Sequence, residues 1–300
     1  MSMFLTKGGC RLWFERWGCG PQAVVFLHDL MMSSCVWAPQ IYGIQGKHGV
    51  CLYTFDFRGF GRSDKPGSEC SVETLVEDLR FMLGELDIQR PILVGAGMGA
   101  TVAMSYAASA PGAVSGLVLM AATPCLAWRP DFKWGLLADE VTSLAEGLRS
   151  DFSLAAAEYA RVVFPETRDR QVEGVMRAMR VVAQEADPVV ASSCLEDLAA
   201  LDLRPMLPRI GAPVSVVNSA SDRLAPVWVG GWLANALGAN SFLVVPAAGH
   251  APYLTAAQRV NKVLSSVLSG FATRASSEPV HELAATARRP VEVASWCSER

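Results

Sequence analysis

Between Arg90 and Arg129 the chain carries no charged residue. A stretch that long without charge belongs inside a membrane or inside a folded core, the two places where a lone charge is too costly. Gly95, Gly97, Gly99, Pro111 and several serines break it up, which argues against a spanning helix. Strands covered on both faces of a parallel sheet read as continuous apolar runs. A strand, a helix and a second strand buried together therefore account for the segment, and no membrane partner is expected.

The same logic extends along the chain, where short β-rich runs alternate with helical patterns and so predict βαβ units in a mostly parallel sheet. Strands are expected at Arg11–Arg16, Ala23–Leu27, Val50–Phe55, Pro91–Val94, Leu117–Ala121, Val214–Asn218 and Ser241–Val245. Helices fit between them at Val36–Ile44, Ser71–Leu86, Met98–Ser109, Val227–Leu237 and Ala256–Leu268. The second of these carries Leu75, Leu79, Met82, Leu83 and Leu86 on one face, and Ser71 opens it as an N-cap.

From 124 to 204 the alternation gives way to a helical pattern, with Phe132, Trp134, Leu136, Leu137, Phe152, Tyr159, Phe164 and Met176 among charged residues. The expected organisation is one α/β core at 1–123 and 205–270, an inserted helical lid at 124–204, and a mobile tail at 271–300 that lacks periodicity. At 300 residues, 51% hydrophobic and 18% charged, the chain has enough apolar material for one large core.

A net charge of -3 without any run of Lys and Arg excludes an extended basic surface, so no nucleic acid is expected. The apolar stretch Met1–Leu5 is too short for a secretory leader, which makes the cytoplasm the expected location. Eight scattered cysteines form no CxxC pair and no Cys/His cluster at zinc spacing, so reduced thiols and no metal are expected.

The segment Val94-Gly95-Ala96-Gly97-Met98-Gly99-Ala100 ends a strand and opens a helix. Two unrelated sites use such a junction. Gly95, Gly97 and Ala100 satisfy the dinucleotide fingerprint by spacing, but that reading needs an acidic residue at the end of the next strand, and Leu117–Thr123 offers none. The other is the nucleophile elbow G-x-S-x-G, with Gly97 where the serine would stand.

Flanking segments favour the elbow. Phe26-Leu27-His28-Asp29-Leu30, followed by Ser34 and Trp37, is similar to the His-Gly segment after the third strand of the α/β-hydrolase family. Asp56-Phe57-Arg58-Gly59-Phe60-Gly61-Arg62-Ser63-Asp64 is similar to its D-x-R-G-x-G-x-S turn. Asn218-Ser219-Ala220-Ser221-Asp222 matches its acid loop, and Ala248-Gly249-His250 its histidine loop. With these four segments in the family's order, Leu12–Leu268 resembles the lid-bearing esterases, lactonases and carbon–carbon hydrolases of that family. The resemblance implies an eight-stranded, mostly parallel sheet flanked by helices, with Asp222 and His250 as the acid and base of a triad. It departs twice, at Gly97 for serine and at Asp29 for glycine.

Glycine keeps the positive φ of an elbow at little steric cost but deletes the oxygen, so acyl-enzyme chemistry at position 97 is excluded. The expected oxyanion donors are the backbone N–H groups of Leu30 and Met98. With Asp222 orienting His250, such a site is expected to act on a small, largely apolar carbonyl compound (ester, lactone, thioester or polyketide-like) by non-covalent acid–base chemistry. Directly activated water and a lyase, cyclase or isomerase reaction both remain open, and no cofactor is expected. Asp29 modifies the site if it points inward, opposing negative charge or serving as a further acid–base group. The competing reading is a pseudo-hydrolase that binds a ligand or protein partner without turnover.

Overall fold

The computed structural model describes residues 2–164, 170–246 and 248–272; the expected tail lies outside them except for the last helical turn to Ala272. Among the described residues eight strands and ten α-helices follow one another as β1 (Ser2–Lys7), β2 (Cys10–Trp17), β3 (Gln22–Leu27), α1 (Ala38–Ile44), β4 (Val50–Phe55), α2 (Val72–Glu85), β5 (Ile92–Ala96), α3 (Met98–Ser109) and β6 (Gly116–Met120). Then come α4 (Ala138–Ser150), α5 (Phe152–Val163), α6 (Arg170–Ala183), α7 (Pro188–Ala200), β7 (Val214–Ser219), α8 (Val227–Ala236), β8 (Ser241–Val245), α9 (Pro252–Thr255) and α10 (Ala257–Ala272).

The strands form one sheet in the order β1-β2-β4-β3-β5-β6-β7-β8. β1 and β2 run antiparallel and β3 to β8 are parallel neighbours. β4, β5, β6 and β7 are buried along their whole length, as their largely apolar text predicts for strands covered on both faces. One large apolar core lies on each face of the sheet.

The structure corrects the sequence reading at three places. The strand Ser2–Lys7 is additional: Gly8 and Gly9, at φ 57° and 85°, make the two-residue turn that pairs it with β2. The helix expected from Val36 is a 3-10 turn at Ser34–Trp37 followed by α1, because Pro39 has no N–H with which to continue a helix from upstream. The last helix is preceded by the separate single turn α9 and ends later, at Ala272. α2 is capped as expected, with Ser71 Oγ accepting from the Thr74 N–H at 3.1 Å.

Polar contacts at the carboxyl edge of the sheet hold the loops that matter later. Asp56 Oδ1 accepts from Ser34 N–H at 2.6 Å and its Oδ2 from Arg62 N–H at 2.8 Å, tying the loop after β3 to the turn after β4. His28 Nε2 accepts from Phe57 N–H at 3.0 Å, so its Nδ1 donates to the Asp29 carbonyl at 2.8 Å. Burial lowers the pKa of this imidazole against the nearby charge of Asp56, which fits a neutral, structural ring. Arg58 forks onto buried Asp78 with two contacts of 2.6 Å.

The β5–α3 junction is crowded by backbone. A Cβ on Gly99 would overlap the Leu27 carbonyl, and one on Gly95 would overlap the Gly99 carbonyl. Main chain gives way less readily than a side-chain tip. Gly99→Ala is therefore expected to destabilise the fold by about 1–3 kcal/mol or more, the usual range for overpacking. Urea unfolding with an unchanged m-value checks this.

Candidate active site

Four loops meet at the carboxyl ends of adjacent parallel strands, where open α/β sheets place their ligands. β3 delivers His28 to Leu30, β5 delivers Gly97 and the first turn of α3, β7 delivers Asp222, and β8 delivers His250. Gly97 has φ 47° and ψ -113°, the left-handed geometry of a tight strand-to-helix corner.

His250 sits between two carboxylates. Its Nδ1 lies 2.9 Å from both oxygens of Asp222, and its Nε2 lies 3.2 Å from Asp29 Oδ2. Asp222 is held by N–H groups of Leu224 and Ala225, each 2.9 Å from Oδ1. All three side chains are buried, at 5% exposure for His250, 6% for Asp222 and 2% for Asp29. Backbone fixes the histidine as well, since its N–H donates to the carbonyl of Val163 at the end of α5.

Asp29 points inward and fills the volume that the sequence reading leaves empty beside Gly97. Its Oδ1 accepts from Leu30 N–H at 2.7 Å and from Met98 N–H at 2.8 Å. The two backbone donors expected to face a substrate oxyanion thus converge on one point, and a carboxylate oxygen of the chain itself occupies it. A Cβ on Gly97 would overlap Asp29 Oδ1 and Cγ, so the two departures from the family pattern are sterically one change. The N-terminal end of α3 adds its partial positive charge to the Met98 donor.

The electrostatics differ from those of a histidine poised as a base. Burial pushes the His250 pKa down, but the charges and hydrogen bonds of Asp222 and then Asp29 outweigh it and raise it from 6.5 to about 10. The ring is an imidazolium at neutral pH, flanked by its two carboxylates.

Tyr159 of α5 is a site residue that the sequence reading placed only among the helical aromatics. Its hydroxyl donates to Asp29 Oδ2 at 3.4 Å, and burial and the charge of Asp29 hold its pKa well above 10. Nothing in its local spacing distinguishes it from Phe132, Trp134 or Phe152; only the packing of α5 over the sheet edge brings it in. Phe132 instead meets Trp232 edge to face with ring centroids 5.2 Å apart, and Phe164 and Met176 belong to the core on one face of the sheet.

Two further hydroxyls near the corner, those of Thr101 and Ser33, are engaged elsewhere. Thr101 Oγ1 donates back to the Gly97 carbonyl at 3.4 Å and Ser33 Oγ to Cys35 Sγ at 3.0 Å. Asp29, Gly97, Tyr159 and His250 line the floor of a cavity of about 780 Å³, counting the part open to solvent. Leucines from the segment between β6 and β7, including Leu126, Leu144, Leu148, Leu195 and Leu198, line the rest. Among the described residues no group of three or more His, Cys, Asp or Glu side chains is arranged to hold a metal ion, and no helix is long and apolar enough to cross a membrane.

The chain as a whole is similar to known proteins. The family model described as alpha/beta hydrolase fold matches residues 22–257. A pimeloyl-[acyl-carrier protein] methyl ester esterase of Nitrosomonas europaea is 27% identical over 242 residues, 80% of this chain and 93% of that protein. The Karrikin insensitive 2 receptor CA of Petunia hybrida is 25% identical over 82% of this chain and 92% of its own. A bromoperoxidase from Bacillus anthracis superposes with a TM-score of 0.83 at 23% identity, covering 90% of this chain and all of that one.

The steric coupling of positions 29 and 97 yields a test. Gly97→Ser alone is expected to hydrolyse p-nitrophenyl acetate no faster than wild type, because Asp29 blocks both the hydroxyl and the backbone donors. The pair Gly97→Ser with Asp29→Gly is expected to exceed either single variant by at least ~10²-fold, a small share of the ~10⁶ that a complete triad contributes. In NMR, the His250 ring is expected to stay protonated at pH 8 and to titrate near 10, with Asp29→Asn lowering that value. Because the folded-state pKa is raised, the stability this charge confers is full below about pH 6.5 and disappears as pH climbs through about 10. The gap in unfolding midpoint between wild type and Asp29→Asn is expected to narrow over that window.

Proposed function

The chain belongs to the α/β-hydrolase fold family, and from that premise we propose that it is an enzyme hydrolysing a small, largely apolar ester or lactone without a serine nucleophile. The observation that carries this reading is the buried row Asp222–His250–Asp29, an imidazolium in contact with a carboxylate on each side, with His250 and Asp29 on the floor of an apolar cavity. A site kept only for packing gains little from burying two carboxylates around one histidine, since desolvating charges is costly unless their contacts are used. The esterase name of the Nitrosomonas europaea relative supports the ester class.

In this reading the proton roles differ from those of a serine triad. His250, protonated at neutral pH, is the general acid for the leaving oxygen. Asp29 is the carboxylate that accepts a proton from water, and Asp222 orients the ring through Nδ1. A substrate carbonyl reaches the N–H groups of Leu30 and Met98 when the Asp29 side chain turns away from them. The helices α4–α7 act as the lid that closes the cavity, with Tyr159 reaching the reacting groups from above.

A second reading, ligand or partner binding without turnover, is favoured by one observation: both oxyanion donors are already satisfied by Asp29. The receptor name of the Petunia hybrida relative points the same way.

Turnover of a panel of small alkyl esters and γ- and δ-lactones separates the two. His250→Ala is expected to lower kcat/KM by about 10²–10⁴-fold, the contribution of a positioned acid–base group. Turnover that survives unchanged in this variant sinks the catalytic reading. The pH profile is expected to fall as pH rises through about 10, where His250 loses its proton.

A further inference from the structure

The helix α7 supplies Leu195 and Leu198 to one wall of the cavity, and a seam of hydrogen bonds ties it to the segment that leads into α2. Gly67 N–H donates to Asp187 Oδ2 at 2.7 Å, Cys70 N–H to Ser193 Oγ at 2.9 Å and Val72 N–H to Asp197 Oδ2 at 2.7 Å. The Asp187 N–H donates in turn to the Gly59 carbonyl at 2.7 Å. In the middle of this seam the Cys194 thiol lies 3.5 Å from the Cys70 carbonyl and is hydrogen-bonded to the Cys70 side chain. We propose that Cys70 and Cys194 are a reversible disulfide site, oxidised by hydrogen peroxide, that fastens this wall of the cavity to the α/β core.

Placement selects the pair. A disulfide needs sulfurs about 2 Å apart on side chains that face each other. Two thiols already in contact reach that distance by side-chain rotation and a small shift of one element. Cys10 is the competing partner, since its thiol feels the charge of Cys70, but the hydrogen bond of Cys70 is with Cys194.

The two positions differ in what reaches them. Both are closed in the resting fold, Cys194 at 0% exposure and Cys70 at 4%. Cys70, however, directly follows five exposed residues, 65–69, and exposed loop backbone opens at a lower free energy than the middle of a packed helix. Cys70 is therefore the sulfur that meets the oxidant. The hydrogen bond to Cys70, and then burial, hold the Cys194 pKa well above its ordinary value against the opposing charge of Arg58. A buried, protonated thiol is inert toward oxidant in solution, so Cys194 reacts only with a neighbouring sulfur that is already oxidised.

The chemistry balances in two steps. The Cys70 sulfur takes one oxygen of hydrogen peroxide as the O–O bond breaks, giving a sulfenic acid and one water. The Cys194 sulfur then attacks the Cys70 sulfur; the S–S bond forms, the S–O bond breaks, and the departing hydroxide takes the Cys194 proton as a second water. Two thiols and one peroxide give one disulfide and two waters, with sulfur oxidised and the peroxide oxygens reduced. An external dithiol reverses the bond by exchange. In a reducing compartment such a bond is a transient sensing state.

The bond joins positions 124 residues apart in sequence. It restricts the unfolded chain and, in the folded one, the movement of α7 away from the core.

The test treats the reduced full-length protein with hydrogen peroxide, blocks remaining thiols with iodoacetamide, and maps peptides by mass spectrometry. A Cys70–Cys194 cross-linked peptide that dithiothreitol removes is expected. Oxidised protein is expected to show slower amide hydrogen exchange in α7 and an unfolding equilibrium constant lower by about 10²–10³-fold, the usual effect of closing a long loop. Cys194→Ala is expected to form no cross-link and to leave a Cys70 sulfenic acid that dimedone traps. If that variant does not fold, the wild-type peptide map decides alone. A Cys10–Cys70 disulfide, or Cys70 carried on to the sulfinic acid with Cys194 still a thiol, overturns the pairing. Two unmodified thiols under excess peroxide overturn the site. A Cys70–Cys194 bond that leaves α7 exchange and unfolding unchanged overturns the fastening role.

Discussion

Two backbone N–H groups, those of Leu30 and Met98, meet at one point on the carboxyl edge of the sheet, and the site is organised around what accepts from them. Buried donors without an acceptor cost on the order of 1–3 kcal/mol each. In a serine-type site, water or substrate oxygen meets that need and the nucleophile stands beside it. Here the carboxylate of Asp29 meets it, and it can do so only because position 97 has no side chain. The charge of Asp29 adds to the larger effect of Asp222, and together they hold His250 as an imidazolium against the penalty of its own burial. One steric exchange thus sets the shape and the hydrogen bonding of the centre and contributes to its protonation.

The scaffold beneath is indifferent to that exchange. The crowding at Gly95 and Gly99 comes from main chain meeting main chain as α3 leaves β5 and passes the end of β3. Asp56 ties the loop after β3 to the turn after β4 through backbone donors, and neutral His28 bridges the same two segments. None of these contacts involves the residue at the corner. Backbone and second-layer polar groups build the corner, so its shape does not depend on a side chain at position 97.

Much of the fold was legible in the amino-acid order because its signals are local. Continuous apolar runs marked the central strands, and Ser71 marked the start of α2. The hairpin that adds β1 was equally local, in Gly8-Gly9, but reads as a turn only once the short run before it is tested as a strand. Loop motifs singled out Gly97, Asp222, His250, Leu30, Met98 and Asp29, and the fold brings these residues together. The direction of Asp29 could not be read from them, because it depends on whether a carboxylate fits a volume bounded by a residue from another strand. Tyr159 was hidden for a related reason: α5 is one amphipathic helix among several, and which turn overhangs the sheet edge is decided by how the inserted helices pack.

The position of the acid along the chain bears on what the site can do. A carboxylate mounted on the elbow itself would project from a strained corner toward the cavity. Asp29 instead enters from the neighbouring loop and reaches the same space sideways, with Oδ1 already in the backbone cradle and Oδ2 left facing the imidazole. This arrangement leaves the cradle filled in the free protein, which disfavours a substrate oxyanion there unless the carboxylate moves.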